Sequence, residues 1–200
     1  MTEMETLAAE IAECTKCLLH RGRTNAVPGA GPADADIMFI GEAPGFHEDQ
    51  QGLPFVGAAG KFLEELLASI DLMRDDVYIA NVIKCRPPGN RDPLPEEIEA
   101  CKPYLDRQIE LLQPKMIITL GRFSMARAFP KARISRIHGQ PRKIGDIVYY
   151  PMYHPAAALH QPSLRRTIEE DMKQIPELIE QAAQMAETEL PSQAEQLKLF

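Results

Sequence analysis

Four short apolar runs punctuate the chain, at residues 37–40 (IMFI), 77–83 (VYIANVI), 116–120 (MIITL) and 147–153 (IVYYPMY). They are rich in Ile, Val, Tyr and Phe and have Gly, Pro or Asp close by, which predicts strands. Between them the apolar positions change to helical spacing. Phe62, Leu63, Leu66, Leu67 and Ile70 make one stripe, and Ile98, Cys101, Tyr104, Leu105, Ile109 and Leu112 a second. A further helix is expected from Ser163 to about Glu187, broken near Pro176, whose ring removes a backbone donor. From Pro191 the chain is polar, so residues 190–200 are expected to form a flexible tail behind a single domain of residues 1–189. Strand alternating with helix implies an α/β layer fold around a mainly parallel four-stranded sheet. Ligands of such sheets bind at the carboxyl ends of the strands.

Composition narrows the class. The chain has 200 residues, 44% hydrophobic and 26% charged, the balance of one ordinary globular domain. It contains no apolar run long enough to span a bilayer as a helix. The start, MTEMETLAAEIAEC, is acidic and helix-patterned and lacks the features of a signal peptide, so a cytoplasmic location is expected. The net charge of −7 hides an asymmetry. Residues 84–143 carry 13 Lys and Arg against 6 Asp and Glu, whereas residues 167–200 carry 2 against 8. A basic middle can present a phosphate-binding face, although an uneven solvated surface accounts for the same charges.

Four cysteines in a reducing compartment point to metal or catalysis before disulfides. Cys14 and Cys17 form a C-x2-C pair with the bite of a chelate, and Cys85 and Cys101 follow far downstream. Cys101 is also a natural buried member of its helix stripe and Cys85 a loop thiol, but that reading leaves the chelating pair unexplained. A shared four-thiolate site would bind zinc or an iron–sulfur cluster, and spacing alone does not choose.

Three predicted strands end in unusual sequence: GEAPG after the first, KCRPPGN after the second and YHP at the fourth. Glycines at Gly41 and Gly45 let backbone approach a ligand. Phe55, in GLPFVG, has the profile of a core residue. Asn81, inside the second strand, needs a polar partner, from the protein or from a base edge. His154 precedes a proline and, alone, says little.

Together CTKC, GEAPG, the acidic pair Glu48-Asp49, PFVG, NVIKCRPPGNRDPLPEEIEAC and YHP resemble the uracil-DNA glycosylase superfamily, and within it the iron–sulfur branch known as family four. The resemblance runs from about Cys14 to Arg166. It implies a three-layer sandwich, excision of uracil from single- or double-stranded DNA, and a [4Fe–4S] cluster on Cys14, Cys17, Cys85 and Cys101. It further implies that Gly41, Glu42 and Ala43 line the uracil pocket, that Glu48 lies beside the C5 edge and excludes thymine's methyl, and that Phe55 stacks on the base. Asn81 would pair with O4 and N3, and His154 would donate to O2. Where better-known members carry a water-orienting Asp, this chain has Ala43, which leaves Glu42 as the nearest catalytic carboxylate. The covalently trapping branch carries a histidine in an insertion after the second strand. This chain has no such insertion, and RIH at 136–138 lies after the third strand, so turnover is expected.

The stretch HPAAALHQPSLRR predicts a DNA-facing loop in which Leu159 wedges into the stack and Arg165 and Arg166 meet phosphates. A core leucine and two solvated helix arginines are the plainer reading. The last five residues, QLKLF, match a short peptide that binds the bacterial sliding clamp through Gln196, Leu197, Leu199 and Phe200. A monomer is expected. Two other functions fit the residues: a non-catalytic iron–sulfur DNA-binding or redox-sensing protein, and a zinc-stabilised hydrolase.

Overall fold

The computed structural model describes residues 1–186. The predicted tail, with its QLKLF peptide, lies outside the described residues. Strands β1 (Ile37–Gly41), β2 (Tyr78–Asn81), β3 (Met116–Leu120), β4 (Arg142–Ile144) and β5 (Ile147–Met152) form one sheet in the order β2-β1-β3-β5-β4. All neighbours are parallel except the β4–β5 pair. The chain leaves β1 for β2 on one side and returns to β3 on the other, so a crevice opens beyond the carboxyl ends of β1 and β3.

Alternation along the strands builds two cores. Phe39, Ile118 and Tyr150 point to one face. There they meet Phe62, Leu63 and Leu66 of α3 (Ala58–Ala68) and Ile168 and Met172 of α8 (Ser163–Met172). Met38, Ile40 and Ile117 point to the other face, where Leu7 and Ile11 of α1 (Glu3–Ala12) and Leu105 and Leu112 of α4 (Pro95–Leu112) cover them. Shorter helices complete the layers: α2 (Phe46–Gln51), α5 (Arg122–Met125), α6 (Ile134–Ile137), α7 (Pro155–His160) and α9 (Ile175–Gln181).

The sheet has a fifth strand that the apolar runs do not announce. β4 has three residues, all half-buried, and folds back on β5 through Gly145 and Asp146, with Gly145 at φ 59°. Its polar flank, QPRKIGD, masks it. β2 is shorter than the apolar run, yet Val82 and Ile83 still donate their N–H groups to the carbonyls of Gly41 and Glu42, at 3.1 and 3.2 Å. The last helix breaks at residues 173–174, so that Pro176 sits in the first turn of α9, where a missing N–H costs nothing.

Candidate active site and cysteine centre

A cavity of about 390 Å³ opens at the carboxyl end of the sheet, and Glu48, Phe55, Asn81 and His154 all line it. The backbone makes room for them. A Cβ on Gly41 would collide with Asn81 Oδ1 and stand 2.6 Å from the Phe55 ring, so only glycine permits this junction of three residues. Phe55 itself has φ 51°, a left-handed conformation that costs a non-glycine residue on the order of 1 kcal/mol. Arg74 holds it there, donating to the carbonyls of Phe55 at 2.7 Å and Pro54 at 2.6 Å. That anchor was not legible in the motifs, because Arg74 stands in an unremarkable polar segment.

Glu48 clamps two loops together. Its Oε1 accepts the N–H groups of Val56 at 2.9 Å and Gly57 at 2.8 Å, and its Oε2 accepts that of Gly45 at 3.1 Å. The carboxylate therefore fixes GEAPG against PFVG as well as facing the cavity. Its neighbour Asp49 is buried and turned the other way, accepting Thr24 N–H at 2.9 Å and tying down the segment behind the C-x2-C pair.

Asn81 is 2% exposed and its Oδ1 has no hydrogen-bond partner in the protein. An unsatisfied buried oxygen costs about 1–3 kcal/mol, which a ligand that donates to it recovers. His154 N-caps α7, and its Nδ1 accepts the Ala156 N–H at 3.1 Å. That bond leaves the ring proton on Nε2. Burial lowers the His154 pKa to about 4, against a smaller opposing pull from Glu48, so the imidazole is a neutral donor at neutral pH. The ring stacks beside Phe55, with centroids 5.5 Å apart and planes 25° from parallel. Gly121, at φ 88°, gives it room at the end of β3.

Glu42 and Ala43 follow β1. Ala43 lines the cavity, whereas Glu42 is not among its lining side chains. Desolvation raises the Glu42 pKa, Asp92 adds to the rise, and Arg122 opposes it. Leu159 is 49% exposed on α7, free to reach a ligand. Arg165 is committed within the protein, paired with Glu65 at 2.6 Å and Glu169 at 2.9 Å over the ring of Phe62. Arg166 pairs with Glu170 but stays almost fully exposed.

No disulfide joins the four cysteines, which line one small cavity between α1, the residues after β2, and α4. Three of the four sulfurs already receive N–H groups: Cys85 from Arg23 Nη1 at 3.1 Å, Cys101 from Lys84 N at 3.3 Å and Cys14 from Lys16 N at 3.5 Å. Burial pushes the Cys101 thiol up to about 11 and raises Cys85, an unfavourable setting for thiolates that a bound cation would reverse. Among the described residues, no three His, Cys, Asp or Glu side chains converge as ligands of a single ion. Four sulfurs around one shared space are a donor set that would hold either a structural zinc ion or an iron–sulfur cluster.

The sheet order, the crevice and this pocket define an α/β fold with a cavity at the carboxyl ends of its strands, and the family model of the Uracil DNA glycosylase superfamily matches residues 28–178. The chain belongs to that superfamily. Within it, similarity falls to the type-4 enzymes. The chain is 51% identical over 188 residues to the type-4 uracil-DNA glycosylase of Sulfurisphaera tokodaii, covering 89% of this chain and 86% of the relative. It is 49% identical over 187 residues to that of Archaeoglobus fulgidus, covering 89% and 94%. Against that of Thermotoga maritima it is 43% identical over 175 residues, covering 85% and 91%.

Proposed function

We propose that this protein is a monofunctional uracil-DNA glycosylase, which flips uracil out of DNA and hydrolyses its N-glycosidic bond, leaving an abasic site and initiating base excision repair. The orphaned Oδ1 of Asn81, buried in the pocket with its amide beside it, carries the reading. An amide offers one acceptor and one donor side by side, the complement of uracil N3–H and O4. With the amide held in this orientation, cytosine, which presents an unprotonated N3 and an amino group there, is mismatched at both.

The chemistry follows from charge. As the N1–sugar bond breaks, negative charge collects on uracil O2 and positive charge on the sugar. The neutral Nε2–H of His154 is a donor to O2, and losing one such donor costs about 10²–10³ in rate. Extruding the base costs a few kcal/mol, part of which stacking on Phe55 returns. Glu42, next in sequence to Ala43 and just outside the cavity lining, would orient the attacking water from the pocket's edge.

Cys14, Cys17, Cys85 and Cys101 hold a [4Fe–4S] cluster whose role is structural, tying the N-terminal segment to the residues after β2 and to α4. The N–H···S bonds and the shared cavity support it. The enzyme acts in the cytoplasm as a monomer, and residues 196–200 dock on the sliding clamp, an assignment supported by sequence pattern alone. A uracil-containing oligonucleotide tests the central claim. Purified protein should release free uracil and leave an alkali-labile, unnicked strand. No release at stoichiometric protein would favour a non-catalytic iron–sulfur DNA-binding protein instead.

A further inference from the structure

The pocket lining includes residues that uracil recognition does not use. Phe46 is among them, and is the one aromatic among the large hydrophobic side chains left exposed in the described residues, at 51%. Nothing in either core needs Phe46. It opens α2, edge-on to His47, with ring centroids 5.5 Å apart. Over its face, 5.1 Å from the centroid, lies the guanidinium of Arg86. Arg86 is held by Asn90, whose Oδ1 accepts the Nε–H at 2.6 Å. Asn90 lines the same cavity, turned back by consecutive left-handed residues, Gly89 at φ 63° and Asn90 at φ 55°. The two Nη groups of Arg86 have no partner among the described residues, unlike those of Arg74, Arg91, Arg107, Arg122 and Arg165.

Arg86 reaches the cavity only through Phe46 and Asn90, which line it. It follows Cys85 directly, and on its other side it lines a larger groove of about 530 Å³ with Lys16, Pro87, Pro88 and Leu94. The strand that delivers a flipped base must continue beyond the pocket in both directions. Its neighbouring base presents a π-face and its phosphate a charge. An exposed phenyl ring next to a guanidinium with free N–H groups offers both complements.

We infer that Phe46 and Arg86 form a binding subsite for the nucleotide adjacent to the flipped uracil, with Phe46 stacking on its base and Arg86 contacting its phosphate. The subsite rests on the uracil-excision reading, and it gives the four-cysteine centre a consequence for substrate binding. Cys85 anchors the loop that presents Arg86 and Asn90.

The test is a cycle between protein and substrate. Single-stranded oligonucleotides carry one uracil and, in turn, a normal base or an abasic residue on its 5′ or 3′ side. Stacking on Phe46 makes Phe46→Ala lose about tenfold in kcat/KM on the normal strand, the order that one stacked base contributes. An abasic residue on one side costs the native enzyme a similar factor, and Phe46→Ala then becomes insensitive to it. Phe46→Leu, which keeps an apolar side chain, shows the same loss if Phe46→Ala folds poorly. Arg86→Gln lowers the salt dependence of binding to uracil-free single strand by about one phosphate contact, a change in slope of roughly 0.7. Equal kcat/KM for Phe46→Ala and native enzyme across the series, or a loss that persists unchanged beside an abasic residue, overturns the subsite. Because the binding arm uses uracil-free strand, it reads the subsite even where excision fails.

Discussion

His154 accepts the backbone N–H of Ala156 through Nδ1, and this one bond at 3.1 Å decides which nitrogen carries the ring proton. Nε2 is left as donor, and burial keeps the ring neutral down to about pH 4. The acid limb of kcat/KM assigned to His154 should therefore lie near pH 4 and not near the 6.5 of a free imidazole. The sign for stability follows from the same shift. Between pH 6.5 and 4 the unfolded histidine takes up a proton that the folded one refuses, so this contribution is complete above about 6.5 and is lost as pH falls through about 4. His154→Ala should lower single-turnover excision by about 10²-fold or more, with DNA affinity nearly intact. An acid limb near 6.5 that vanishes in His154→Ala would show the ring to be solvated and the assignment wrong.

Asn81→Asp tests base choice. A carboxylate has no donor for uracil O4 but accepts from the amino group of cytosine. Uracil excision should fall at least tenfold and cytosine excision should become measurable. Undiminished uracil release with no action on cytosine would remove Asn81 from recognition.

The sequence carried the parallel core and the pocket residues because both are written in local chemistry. Phe39 and Met38 alternate between faces, and GEAPG, Asn81 and His154 all stand at strand ends. β4 was illegible because a three-residue edge strand beside a polar hairpin needs few apolar residues. Long-range partners were illegible too. Nothing near Arg74 says that it holds the carbonyl of Phe55, and nothing in SLRR says that Glu65, on another helix, occupies Arg165. Phe46 lies between GEAPG and Glu48 and belongs to neither motif, and only its exposure separates it from a core residue.

Glu48 accepts three backbone N–H groups, from Gly45, Val56 and Gly57. Charge-assisted bonds of this kind contribute about 1.5–3 kcal/mol. Glu48→Gln turns one acceptor into a donor facing an N–H, so the melting temperature should drop by roughly 5 °C and excision about tenfold as the two loops part. Glu48→Ala also removes bulk. If Glu48 bars thymine's methyl, the alanine variant alone acquires thymine excision. A glutamine variant as stable and active as the native enzyme would show that the clamp has no effect on either loop.

Metal content tests the cysteine centre apart from catalysis. Purified anaerobically, the protein should be brown and contain about four iron atoms per chain with no stoichiometric zinc. Cys85 and Cys101 line the same space from two segments, one after β2 and the other on α4, and each sulfur already accepts an N–H group. Cys85→Ser or Cys101→Ser should lower iron content and melting temperature together, since the cluster joins segments otherwise held by the packing of α1 on α4 and by the exposed Arg107–Glu3 ion pair at 2.7 Å. Arg23→Met is the sharper probe. It keeps all four thiols but removes the guanidinium that bonds Cys85 Sγ and, at 2.6 Å, the Ala12 carbonyl at the end of α1. Iron should still load in that variant, with the cluster's reduction potential lowered because hydrogen bonds to sulfur favour the reduced, more negative state. One zinc and no iron in the native protein would refute the cluster outright. An unchanged potential in Arg23→Met would show that Arg23 braces the helix end without touching the cluster's electronics.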